Sequence, residues 1–130
     1  MAVAVAALSG CATTKGPSDE ELIAGVLEQW KTGFVEQNIE KIVATYSETF
    51  TNPEVPDKAG LQEFLEGAVD MGYLEDVEVA TEDTDTVIEG TTATIYPIDL
   101  TSAAGSVTIE LTLAKEEAGW LITGMDIEGL

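Results

Sequence analysis

The feature that most constrains this chain is a change of hydrophobic period at Gly72. Before it, apolar residues recur three and four apart. Leu22, Ile23, Val26, Leu27, Trp30 and Phe34 form one such stripe, Ile39, Ile42, Val43 and Tyr46 a second, and Leu61, Phe64, Leu65, Ala68 and Val69 a third. That spacing puts one apolar face on each of three helices. After Gly72 the period becomes two. Val77 and Val79 alternate with Asp76 and Glu78, and Val107, Ile109, Leu111 and Leu113 alternate with Thr108, Glu110 and Thr112. Thr91 to Leu100 is rich in β-branched residues, and Trp120 to Ile127 completes the set. Half-buried strands read this way.

Local signals place the boundaries. Ser18 followed by Asp19, Glu20 and Glu21 predicts a capped start, with acids against the positive helix end. Asn38 is the predicted cap of a short second helix. Thr49-Phe50-Thr51 reads as a short strand stopped by Asn52-Pro53, and Pro56-Asp57 opens the third helix. Gly72 is its predicted left-handed exit. Gly25 and Gly33 weaken the first helix and leave room for close approach of another element. Ser102-Ala103-Ala104-Gly105 and Glu116-Glu117-Ala118-Gly119 read as tight connections, so the last three strands are antiparallel neighbours. Pro97 cannot donate to a ladder and marks a bulge or an edge. The expected fold is therefore α+β, a curved antiparallel sheet of four to five strands wrapped around three N-terminal helices.

Two regions divide the chain. Residues 1–17 read as a signal and tether, and 18–130 as one domain. Met1 to Leu8 is apolar and uncharged, with the length of a signal-peptide core and too short to span a bilayer. Leu8-Ser9-Gly10-Cys11 follows and resembles the lipobox of prokaryotic lipoproteins. That resemblance implies processing at Cys11, a lipid on its sulfur, and anchoring to the outer face of a membrane, with the lipid as the only membrane contact. No Lys or Arg precedes Cys11, unlike the charged start of an ordinary export signal. The alternative is an N-terminal extension carrying a free thiol.

Composition excludes more chemistry than it suggests. There are 25 Asp plus Glu against 5 Lys, with no Arg and no His. Such a surface repels phosphate backbones and anionic headgroups, so nucleic acid is not an expected partner. It suits high-salt surroundings, where self-repulsion is screened. Without His there is no imidazole base, no Ser-His pair and no ordinary catalytic zinc site. Glu82-Asp83-Thr84-Asp85 lacks the ligand spacing of a calcium loop and reads as a solvated hairpin tip. No metal and no cofactor is expected.

In order and spacing, Trp30 on the first helix, Ala44-Thr45-Tyr46-Ser47, Phe50-Thr51-Asn52-Pro53 and Gly119-Trp120-Leu121-Ile122-Thr123 resemble the nuclear transport factor 2-like superfamily. This superfamily also holds ketosteroid isomerase and the SnoaL-like polyketide cyclases. The resemblance implies a cone whose curled sheet leaves an apolar pocket. Trp30, Phe34, Tyr46, Phe50, Phe64, Tyr96 and Trp120 are the candidates to line it. Dimerisation through the outer sheet face is common there, which makes a homodimer a candidate assembly here. Asn52 stands where isomerase-like members carry a carboxylate base, and an amide takes no proton. The leading expectation is a non-enzymatic domain that binds a small apolar ligand or a protein partner. The competing one is a lyase or isomerase using Asp99 or Asp126 with Tyr46 or Tyr96 as phenol donor.

Overall fold

The computed structural model describes residues 18–53 and 55–129. Cys11, the lipobox-like segment and the tether lie outside them. Helix α1 spans Asp19–Glu36 and begins as predicted. Glu21 N–H donates to Ser18 Oγ at 3.2 Å, and Ser18 N–H donates to the Glu21 carboxylate at 3.0 Å. Helix α2 spans Ile39–Val43, with the Asn38 side chain accepting from Lys41 N–H. It stops short of Tyr46. Thr45 Oγ donates to the Ile42 carbonyl at 2.6 Å. That local bond competes with helix propagation, and the chain extends directly into strand β1, Tyr46–Thr51. Tyr46 therefore sits on a strand, not on the helix that its spacing predicted.

Gly33 provides the close approach expected of it. A Cβ there would lie 2.7 Å from Ile42 Cγ1 and 3.1 Å from the Ile42 nitrogen, so α2 packs on bare α1 backbone. Gly25 has open space and plays no such part. Helix α3, Lys58–Asp70, is capped by Asp57, which accepts from Gly60 N–H at 2.8 Å.

Strands β2 (Glu78–Ala80), β3 (Asp85–Glu89), β4 (Thr92–Ser102), β5 (Gly105–Glu116) and β6 (Gly119–Glu128) follow. The sheet has six strands in the order β1-β6-β5-β4-β2, with β3 also on β4. The hairpins β4–β5 and β5–β6 turn where predicted. Two features depart from expectation. Thr84 N–H donates to Thr81 O, so the acidic run does make a turn, but its last residue, Asp85, begins a strand paired along β4. And β1 joins the edge parallel to β6, Tyr46 opposite Ile122. A long connection imposes no hairpin direction, so this pairing is open to β1 although the rest of the sheet is antiparallel.

The sheet curves because it is bulged. Register shifts fall between Ile95 and Ile98 around Pro97, between Thr112 and Leu113, and within β1. Bulges bend and twist a strand. The concave face presents Ile95, Ile98, Leu111, Leu113 and Ile122, each at most 1% exposed, to Ile23, Trp30 and Ile42 of the helices, also at most 1%.

Candidate functional site

The site implied by the resemblance is the inside of the cone, and aromatic side chains occupy it. Trp30, Tyr46 and Phe50 are 0, 1 and 2% exposed. Trp30 meets Phe34 edge-on at 4.7 Å between ring centres, and Tyr46 meets Phe50 at 4.8 Å. These T-shaped contacts are favourable aromatic packing. Trp30 Nε1–H donates to Tyr46 Oη at 3.0 Å, and Tyr46 Oη donates to Met125 Sδ at 3.4 Å. The phenol of Tyr46 is thus engaged as both acceptor and donor. Burial pushes its pKa far above the ordinary tyrosine value, with the Trp30 bond a smaller opposing effect. It stays protonated and its O–H is committed to Met125.

Trp120 is buried as well. Its Nε1–H donates to Asp19 Oδ1 at 3.2 Å, and Lys115 Nζ lies 2.9 Å from the same oxygen. The bonds from Lys115 and Trp120 hold the Asp19 carboxyl below its ordinary value. They tie the first turn of α1 to the β5–β6 hairpin.

Asn52 has a structural place. Its Nδ2 donates to the Met125 carbonyl, and its Oδ1 accepts from Val55 N–H at 3.2 Å. An amide supplies both a donor and an acceptor, which an ionised carboxylate could not.

The remaining candidates lie outside the cone. Asp99 and Asp126 are exposed. Their neighbours Ile98, Leu100, Met125 and Ile127 belong to the core or pack against it, so strand alternation turns both acids to the convex face. Asp99 accepts from Thr108 Oγ at 3.0 Å. Tyr96 is 39% exposed on that face, ahead of the Pro97 bulge, and does not reach the interior. Phe64 is 55% exposed, because Leu61, Leu65 and Ala68 take the buried seam of α3. The pairing of a pocket carboxylate with a tyrosine is therefore not assembled: Tyr46 is inside and both acids are outside.

Two features escaped sequence reasoning. Ser47, 1% exposed, donates to Glu116 at 2.7 Å and accepts from Thr49 N–H at 3.1 Å. A buried hydroxyl held this way fastens the β1 edge to the β5–β6 hairpin. No pattern in the sequence marks it: Ser47 follows the inward Tyr46, and strand alternation alone would turn it outward. The second is an open depression of about 440 Å³ on the sheet, lined by Asp99, Thr101, Ser106, Val107, Thr108, Glu128 and Gly129. Beside it Glu110 stands directly opposite Asp126, a like-charged cross-strand pair. Among the described residues no buried side-chain N or O atom lacks a partner, and no group of three or more His, Cys, Asp or Glu could hold a metal ion.

Helices inside a curled, bulged sheet define the cone-shaped fold of nuclear transport factor 2-like and cystatin-like proteins, and solved structures agree. An NTF2-like protein of unknown function from Pseudomonas putida superposes with a TM-score of 0.71 at 12% identity, covering 92% of this chain and 89% of that one. A cystatin-like protein of unknown function from Nostoc punctiforme gives 0.69 at 13%, covering 84% and 89%. One from Shewanella baltica, also NTF2-like and of unknown function, gives 0.65 at 18%, covering 86% and 95%. At these identities the likeness is one of fold. No protein-family profile and no curated protein sequence matches the chain.

Proposed function

We propose that this chain is a non-enzymatic binding domain that meets a protein partner on its outer surface, held outside the cell by a lipid on Cys11. The observation that carries this reading is the filled cone. Trp30, Tyr46 and Phe50 take the volume a ligand would need, and the polar atoms among them already bond to one another or to Met125. An apolar ligand would have to displace close-packed side chains, at a cost similar to overpacking a core. The carboxylates that an isomerase mechanism would use face water instead.

The lipid anchor rests on Leu8-Ser9-Gly10-Cys11 directly after an apolar run. In this reading residues 1–17 are the export segment and tether, and 18–130 the working domain. The convex face does not favour a homodimer at low salt: two copies meeting there would bring Asp99, Glu110, Asp126 and Glu128 against their own equivalents.

Native mass spectrometry of protein purified from its source tests both parts. The expected result is a chain beginning at an acylated Cys11 with no other small molecule bound. A stoichiometric apolar ligand surviving purification would overturn the surface reading, and an unmodified chain starting at Met1 would overturn the anchor.

A further inference from the structure

Three large apolar side chains are exposed around the end of α3: Phe64 at 55%, Met71 at 68% and Tyr73 at 51%. The helix and its exit carry all three within ten residues of chain. At 100° per residue, Phe64 and Met71 lie two turns apart and within about 20° of one another around the axis. Gly67 sits in the turn between them, and a Cβ added there would meet nothing within 4 Å. The helix then ends in a Schellman motif. Gly72, at φ +78°, donates to the Val69 carbonyl, and Tyr73 N–H donates to the Ala68 carbonyl at 2.9 Å. The chain thus turns back so that Tyr73 leaves from beside the Gly67–Ala68 turn.

The result is an apolar stripe over bare backbone, bordered on one side by the buried seam of α3. Its other border is negative. Glu63 and Asp70 are exposed on the solvent face of α3, and Glu75 and Asp76 are exposed just after Tyr73. The lone cation of the helix, Lys58, lies in the first turn and is paired with Glu48 at 3.1 Å.

We propose that this stripe is a docking groove for a basic amphipathic helix of a partner protein. The apolar face of that helix would cover Phe64, Met71 and Tyr73, and its lysines or arginines would meet Glu63, Asp70 and Glu75. This rests on the reading that the domain works through its surface, and it names the place and the partner's chemistry. Charge complementarity selects this occupant. A second copy, related by a twofold axis, would set the acidic border against itself, and an anionic membrane would be repelled. A helix fits because Gly67 leaves room for close backbone approach between large anchors spaced two turns apart.

The test is fluorescence anisotropy with a labelled synthetic peptide about five turns long. It is made of leucine and lysine with all leucines on one face, and is compared with a scrambled peptide of equal composition. At about 0.15 M salt, where the Debye length is about 8 Å, charge alone contributes little selectivity. The facial peptide should bind the full chain about tenfold or more tightly than the scrambled one. The double substitution F64S/M71S should erase that preference. V87S/Y96S, which removes exposed apolar groups from the convex sheet face, should leave it intact. All the substituted side chains are exposed, and an unchanged urea midpoint verifies the fold. Equal binding of the two peptides would overturn the groove. So would loss of the preference in V87S/Y96S but not in F64S/M71S, although surface binding would stand. Light scattering that shows a dimer made monomeric by F64S/M71S would assign the groove to a second copy instead. The broader reading fails on a different observable, the ligand bound in the cone by native mass spectrometry.

Discussion

Replacing Gly25 or Gly33 of α1 by alanine should move stability in opposite directions, although the two substitutions are chemically identical and lie on one helix. Helix propensity favours alanine by about 1 kcal/mol at either position. At Gly25, which is exposed with nothing within 4 Å of a new Cβ, that gain is realised in full. At Gly33 the new methyl carbon would lie 2.7 Å from Ile42 Cγ1 and 3.1 Å from the Ile42 backbone nitrogen. Ile42 is fully buried, and its Cγ1 is not a free chain end, so α2 itself must shift. Overpacking costs about 1–3 kcal/mol, and involvement of backbone places this case near the upper end. The net loss for Gly33→Ala is then about 2 kcal/mol, which leaves the two variants about 3 kcal/mol apart. Urea unfolding followed by tryptophan fluorescence reads this directly, since Trp30 and Trp120 are both buried. A Gly33→Ala protein as stable as Gly25→Ala would refute the close packing of α2 on α1, and with it the seat of Tyr46.

Further outcomes follow from the same structure. Tyr46→Phe should cost about 1–3 kcal/mol by stranding the buried Trp30 indole N–H. Because the folded pKa of Tyr46 is raised, its contribution is complete below the unfolded value of 10.0 and is lost as pH rises toward the folded one. Tyrosinate absorbance should therefore show one tyrosine that ionises only together with alkaline unfolding. Asp19 shows the opposite sign: its lowered pKa gives stability above the unfolded value of 3.8 that is lost as pH falls through the folded one. An NMR titration should place Asp19 below its ordinary value and return it upward in K115Q. With a net charge of −20, the chain should be monomeric at about 0.1 M salt and gain in urea midpoint toward 1 M, as the Debye length shortens from about 10 to 3 Å. A dimer by light scattering at low salt would contradict the repulsion assigned to the convex face.

Much of this fold was legible because its signals are local. The capping box at Ser18, the Asn38 cap, the Gly72 exit and the two hairpin turns each depend on a few neighbouring residues, and each stands in the structure. What sequence did not reveal depends on distant partners. The parallel β1–β6 edge needs β1 to find a strand some 70 residues away, far beyond the window of roughly 11–18 residues over which hydrophobic pattern is read. β3 was hidden because an edge strand exposed everywhere but at Ile88 carries little period-two contrast. Phe64 fits the helical stripe as well as Leu61 or Leu65, and only the direction of the neighbouring elements decides which of them faces the core. The aromatic interior was legible in Trp30, Tyr46, Phe50 and Trp120. That it is filled was not, since filling depends on how Met125 and the β1 edge close over it.

The filled cone is tested most directly by the two indole N–H signals in a ¹⁵N spectrum of the chain. Trp30 donates to Tyr46 at the centre of the cone, and Trp120 donates to Asp19 at its edge. Titration with fatty acids, steroids and aromatic compounds should leave the Trp30 signal in place up to the solubility of each compound. A saturable shift of Trp30, with Trp120 unmoved, would mean that the interior opens to a ligand and that this domain binds within, not on its surface.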